Sequence, residues 1–271
     1  MQRLIKGRLF FKWLSMFAFA YLYLIIFGLF FSEQIIFLPP ATAYQASDKL
    51  ISIKSSTSSE PGNEHLIVAR HVINPAAQYT IIYSHGNAVD IGGLTHLQRN
   101  FVKQGYSIVI YDYSGYGLSE GEPSEQQVYN DVHAVYNYLT ETLEISPAQI
   151  ISYGHSLGAA VATNLAASQT VAALILESPF VTAFRVKTVY PLVPFDKFSN
   201  LDKIANINTP LFITHSRDDP VISFWHSEML FARARQPKTN LWLENTGHAG
   251  ASHEDLFWLS LDKFIQTKVA R

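Results

Sequence analysis

The chain contains no cysteine, which excludes disulfides, a thiol nucleophile, thiolate metal sites and a lipid-anchored N-terminal cysteine. Redox compartment stays open, because an extracytoplasmic domain of this size can stand on its core alone. Charge is sparse, at 15% of 271 residues, and forms no basic stripe of the kind that binds nucleic acid. There is no His-Glu-x-x-His sequence, and His248 and His253, five apart, do not share a helical face, so no metal site is expected. Repeats and low-complexity tracts are also missing. What is present is 48% hydrophobic, enough for one sizeable core.

Charge is missing altogether from Trp13 to Ser32. As a helix rising about 1.5 Å per residue this run reaches about 30 Å, the hydrocarbon thickness of a bilayer. Arg3, Lys6, Arg8 and Lys12 precede it without an acidic neighbour, whereas Glu33, Asp48 and Lys49 follow it. The positive-inside bias then puts residues 1–12 in the cytoplasm, residues 13–32 in the membrane, a linker over 33–48, and a domain over 49–271 on the extracytoplasmic side, the periplasm in a bacterium. A cleaved signal peptide competes, because Ala41-Thr42-Ala43 resembles a processing site, although the apolar run is long for one and the site lies beyond Pro39-Pro40.

Past the linker, β-type and helical patterns alternate. Strands are expected over Leu50 to Lys54 and Leu66 to Val72 as an antiparallel hairpin around the 55–62 turn cluster. Further strands are expected over Tyr79 to Tyr83, Ser107 to Tyr111, Gln149 to Tyr153, Ala172 to Leu176, Pro210 to His215 and Asn240 to Leu243. Helices are expected over Leu94 to Lys103, Glu125 to Thr142, from Ser156 onward, Ser223 to Ala234 and Glu254 to Gln266. Ser124 and Gln127 read as a capping box for the second of these. The alternation predicts an α/β fold with a mostly parallel sheet and right-handed crossovers. Residues 178–208 interrupt it with Phe180, Phe184, Tyr190, Phe195 and Phe198, which suggests a short lid over an apolar pocket, the alternative being a surface insertion folded on its own aromatics. Phe180, Phe184 and Tyr190 are the candidate pocket residues.

Chemistry concentrates at Gly154-His-Ser156-Leu-Gly158, the junction of a strand and an alanine-rich helix. A strand turning at once into a helix strains its turning residue, so the residues two positions away must be small. The helix behind Ser156 aims unpaired N–H groups at the same point. Serine needs a base, and His248 follows the last strand in Asn245-Thr-Gly-His-Ala249; the base needs an acid, and Asp219, preferred to Asp218, follows the strand before it. The oxyanion donors are expected to be the backbone N–H groups of Leu157 and Asn87, with Ala88 as a substitute for the second. A dinucleotide site at Asp112-Tyr-Ser-Gly115-Tyr-Gly117-Leu-Ser-Glu-Gly121 fails, since its third glycine is one residue late and the helix starts only after Pro123.

His85-Gly-Asn-Ala88, the 111–119 loop, Gly154-His-Ser-Leu-Gly158, Asp219-Pro-Val-Ile222 and Gly247-His248 together resemble the α/β-hydrolase superfamily over roughly residues 35–268. The likeness is to membrane-anchored serine hydrolases of the depalmitoylase-like group. It implies an eight-stranded sheet, the chain order serine, aspartate, histidine, and hydrolysis of an ester, thioester or amide without a cofactor. Ser216 departs from the family's usual glycine. The expected partner is a small-molecule or lipid-like acyl substrate, and the membrane is reached through the N-terminal helix. A peptidase or amidase on the same triad, and a non-catalytic tethered binding scaffold, are the alternatives.

Overall fold

The computed structural model describes residues 2–46, 49–57 and 62–269, with side chains from residue 11 onward. The side chains of Arg3, Lys6 and Arg8, as well as Asp48 and the centre of the 55–62 turn, lie outside the described residues. Eight strands form one sheet: β1 (Ile51–Ser56), β2 (Glu64–Val72), β3 (Thr80–Ser84), β4 (Ser107–Tyr111), β5 (Ile150–His155), β6 (Ala173–Glu177), β7 (Leu211–Ser216) and β8 (Lys238–Leu243). Their spatial order is β1-β2-β4-β3-β5-β6-β7-β8. The hairpin β1–β2 and the β2–β4 pair are antiparallel, and the remaining pairs are parallel.

Strands β3 and β4 read Thr-Ile-Ile-Tyr-Ser and Ser-Ile-Val-Ile-Tyr and are buried at every position, because helices cover both faces of the sheet. Ile82, Val109, Leu174 and Ile213 point to one face, which is covered by α4 (Glu125–Asn137), α5 (Leu157–Ser168) and α7 (Trp225–Arg233). Ile81, Ile108, Ile175 and Phe212 point to the other, covered by α3 (Thr95–Lys103) and α8 (Asp255–Phe264). The helix expected to reach Thr142 is α-helical to Asn137 and continues as one wider turn over Tyr138–Thr142. Ser124 Oγ accepts the Gln127 N–H at 3.1 Å, as capping requires.

The N-terminal helix α1 covers Gln2–Phe30, and its Phe11–Phe30 part, with mean hydropathy 2.0, is long and apolar enough to cross a membrane. A short α2 (Ser32–Ile36) follows. Residues 178–208 contain little regular structure beyond α6 (Asn200–Ile204). They do not form the expected lid over the serine. Asp196 gathers the segment by accepting from Thr182 Oγ1 at 2.6 Å and from the Phe184 N–H at 2.8 Å. Its apolar side chains then find partners elsewhere: Phe198 meets Phe37 and Phe180 edge-on, and Phe184 and Phe195 line a cleft against α1 and α2.

Candidate active site

Strand β5 ends at His155, and Ser156 turns the chain into α5 with φ 56° and ψ −116°, a conformation costly for a residue with a Cβ. The turn closes only because its neighbours lack side chains. A methyl on Gly154 would stand 2.0 Å from the Gly158 carbonyl oxygen, and one on Gly158 would stand 1.9 Å from the Ser84 carbonyl oxygen. Backbone on both sides leaves no room to yield. Gly158→Ala is therefore expected to lower stability by about 1–3 kcal/mol or more, read as a drop in the urea unfolding midpoint.

The loops after β5, β7 and β8 bring three side chains together at the carboxyl edge. His248 Nε2 lies 2.9 Å from Ser156 Oγ, and His248 Nδ1 lies 2.7 Å from Asp219 Oδ2. The Asp219 side chain is fully buried, and its Oδ1 accepts the Val221 and Ile222 N–H groups at 2.8 and 3.0 Å. Burial pushes this carboxyl up, but the bonds from His215, His248 and the Ile222 N–H outweigh it and hold the group well below the usual carboxylate range. Asp218 instead bonds Ser216 Oγ.

Sequence reasoning passed over several groups around this line. His215 donates its Nε2–H between Asp219 Oδ2 at 3.0 Å and the Ile222 carbonyl at 2.9 Å, while its Nδ1 sits 2.6 Å from Ser227 Oγ. His155 donates from Nε2 to the His248 carbonyl at 3.0 Å, and Ser178 Oγ donates to the same oxygen at 3.0 Å. Burial pushes the pKa of His155 down, which keeps the imidazole neutral beside His248. No spacing signal identifies these partners, because each comes from a different loop.

On the other side of Ser156, a methyl on Gly86 would stand 3.6 Å from Ser156 Cβ, so the His85-Gly86-Asn87 turn runs beside the elbow. Among the described residues neither the Leu157 nor the Asn87 N–H has a backbone acceptor. The segment after α2 fastens this turn. The Leu38 N–H donates to Asn87 Oδ1 at 2.9 Å, the Ala43 N–H to Asp90 Oδ2 at 2.6 Å, and Tyr44 OH to Asp112 Oδ2 at 2.5 Å. A linker in sequence is thus a strap in the structure.

Asp112 is fully buried beside His85, and burial pushes its pKa from 3.8 up to about 7. Being raised in the fold, it contributes stability that is full below 3.8 and is lost as pH rises through about 7. Asp112→Asn is expected to flatten the decline in urea midpoint between acidic and mildly alkaline pH; an unchanged decline would exclude Asp112 as its source.

The serine opens into a cleft of about 550 Å³ lined by Asn87, Val89, Leu94, Leu97, Glu177, Val221 and His248. Phe180, Phe184 and Tyr190 do not line it: Phe180 is buried in the core, Phe184 faces α1, and Tyr190 is 76% exposed. Their assignment to the pocket is corrected on that ground. Among the described residues no group of three or more His, Asp or Glu is placed to hold a metal ion.

A mostly parallel eight-stranded sheet with an elbow serine at its carboxyl edge defines the class of α/β hydrolases. A family model described as serine aminopeptidase S33 matches residues 75–201. Alpha/beta hydrolase domain-containing protein 17B of Homo sapiens is 40% identical over 202 residues, 72% of this chain and 69% of that protein. The Xenopus laevis protein of the same name is 41% identical over 180 residues, which is 64% of this chain but only 62% of the relative's length. The chain belongs to the α/β-hydrolase superfamily. Among solved structures, an esterase of Pyrococcus furiosus superposes with TM-score 0.67 at 18% identity, covering 84% of this chain and 98% of its own. Est1E of Butyrivibrio proteoclasticus, with ferulic acid bound, gives 0.64 at 17% identity, over 76% and 97%. At such identities the likeness is one of fold.

Proposed function

We propose that this chain is a membrane-anchored serine hydrolase that cleaves carboxylic ester or thioester bonds of acyl substrates. The observation that carries the reading is the continuous line from Ser156 Oγ through the His248 imidazole to Asp219, at 2.9 and 2.7 Å. His248 takes the serine proton as Oγ attacks the acyl carbonyl, and Asp219 fixes the imidazole tautomer and stabilises the imidazolium. The Leu157 and Asn87 N–H groups receive the oxyanion. The imidazolium then protonates the departing alcohol or thiol, and water releases the acyl group through the same base. The apolar side chains of Val89, Leu94, Leu97 and Val221 favour an acyl chain in the cleft.

One observation favours an aminopeptidase-like reading as the second: Glu177, its Oε2 held by Tyr153 OH at 2.6 Å, lines the same cleft and offers a carboxylate to a substrate amine. Turnover of a panel of acyl esters, acyl thioesters and aminoacyl amides separates the two, with a serine-directed fluorophosphonate as the common label. Preference for esters or thioesters supports the first reading. Preference for aminoacyl amides replaces it with the second, and no labelling of Ser156 removes both in favour of a non-catalytic scaffold.

We read α1 as an uncleaved anchor with the domain outside the cytoplasm. Processing after Ala43 would remove Leu38 and Thr42, which bond Asn87 and the Gly117 carbonyl. A C-terminal reporter active only outside the cytoplasm is the expected result, and a cytoplasmic one reverses the topology.

A further inference from the structure

The cleft between α1 and the 183–196 segment has no part in the chemistry above. It measures about 280 Å³ and is walled by Leu24, Phe27 and Gly28 on one side and by Phe184, Leu192 and Phe195 on the other. Gly28 is what opens it, since a methyl there would stand 3.1 Å from the Phe195 ring. Leu192 of the cleft wall and two neighbours outside it, Val189 and Tyr190, are left open to solvent, at 57%, 61% and 76% exposed. Water is a poor environment for such a group on a soluble surface.

We propose that residues 183–196 form a second membrane contact, and that the cleft holds an acyl chain of a phospholipid from the bilayer that α1 enters. This rests on the reading of α1 as a membrane span. Leu24 lies six residues before the helix end at Phe30, so at about 1.5 Å per residue the cleft wall sits about 9 Å inside the end of the span. Whatever packs on Leu24, Phe27 and Gly28 is held in the outer layer of the acyl chains, just below the headgroups. Amphipathic segments that lie in this interface bury their apolar face by about 5–10 Å. The placement is fixed by polar ties: Lys197 Nζ donates to Glu33 Oε1 at 3.0 Å, and the Glu125 N–H donates to the same oxygen at 3.1 Å. Lys187, exposed at the rim of the cleft, is positioned to carry its charge out to the phosphates. A lipid partner fits because the continuation of the apolar surface is α1 itself, exposed along Phe17, Phe19 and Tyr23.

The cysteine-free sequence permits a clean test. Tyr190→Cys, Leu192→Cys, Phe19→Cys on α1 and Leu259→Cys on α8 are labelled with an environment-sensitive fluorophore, in the full chain reconstituted in nanodiscs containing doxyl-phosphatidylcholine. Labels at 190 and 192 are expected to be quenched as at 19 and to differ from 259. If 19 is quenched while 190 and 192 behave like 259, the docking proposal is overturned and the span stands. If 19 is not quenched, the span reading fails and the proposal with it. A blue shift at 190 and 192 without quenching indicates a protein cover and also overturns it. For the cleft, a diazirine-bearing phosphatidylcholine is expected to cross-link within residues 183–196; adducts confined to α1 refute the acyl-chain site.

Discussion

Ser156→Ala is expected to lower ester or thioester turnover by at least about 10⁴-fold while leaving the unfolding midpoint within the range of an ordinary surface change. In the proposed mechanism the side chain supplies the nucleophile, and its hydrogen bond is the one with His248; the elbow itself is held by backbone, with the Ser156 N–H donating to the Glu177 carbonyl at 2.9 Å. Alanine keeps a Cβ at φ 56° and so keeps the strain. Ser156→Gly separates the two quantities further. It abolishes turnover as well, and it relieves a backbone conformation that costs on the order of 1–3 kcal/mol in a residue with a side chain, against the entropy that glycine adds to the unfolded chain. Circular dichroism melts and steady-state rates on the same three proteins check both statements. Activity retained in Ser156→Ala removes the nucleophile assignment, and loss of fold in the same variant would mean that the serine is structural.

The division between what was legible in the sequence and what was not follows the range of the interaction. All eight strands were legible, because each is a short apolar run bounded by turn residues, and the alternation with helices specifies a parallel sheet. The elbow was legible because the need for Gly154 and Gly158 is local: their contacts lie within the turn and on the adjacent β3. Ser156, Asp219 and His248 were nameable because parallel strands deliver their following loops to one edge. Residues 178–208 were misjudged for the opposite reason. Their composition announces an apolar contact but not its partner, and the partner, α1 with α2, lies some 150 residues earlier in the chain. The strap was invisible on the same count. Leu38, Ala43 and Tyr44 carry no motif, and Leu38 and Ala43 use backbone N–H groups, which every sequence possesses. His215 and His155 were assigned no catalytic part, since a histidine's use depends on which carbonyl or carboxylate faces it.

The choice of Asp219 over Asp218 has the second largest expected effect. Asp219 is surrounded by donors: Oδ2 receives His248 and His215, and Oδ1 receives two backbone N–H groups. An amide cannot satisfy this arrangement. If Asp219→Asn keeps its oxygen toward Val221 and Ile222, its NH2 faces His248 Nδ1, which must then accept, so the proton moves to Nε2. An imidazole protonated at Nε2 cannot take the proton of Ser156, and a loss of about 10⁴-fold in kcat is expected with KM little changed. Asp218→Asn is expected to remain near wild type, because that carboxylate bonds Ser216 rather than the imidazole. Stability follows the same distinction. The Asp219 pKa is depressed in the fold, so its bonds stabilise the protein fully above 3.8 and the contribution is lost as pH falls from there. Asp219→Asn should therefore lose stability at neutral pH and lose little more on acidification. Equal kinetic losses in the two variants, or a larger one in Asp218→Asn, would move the acid of the triad to the neighbouring residue.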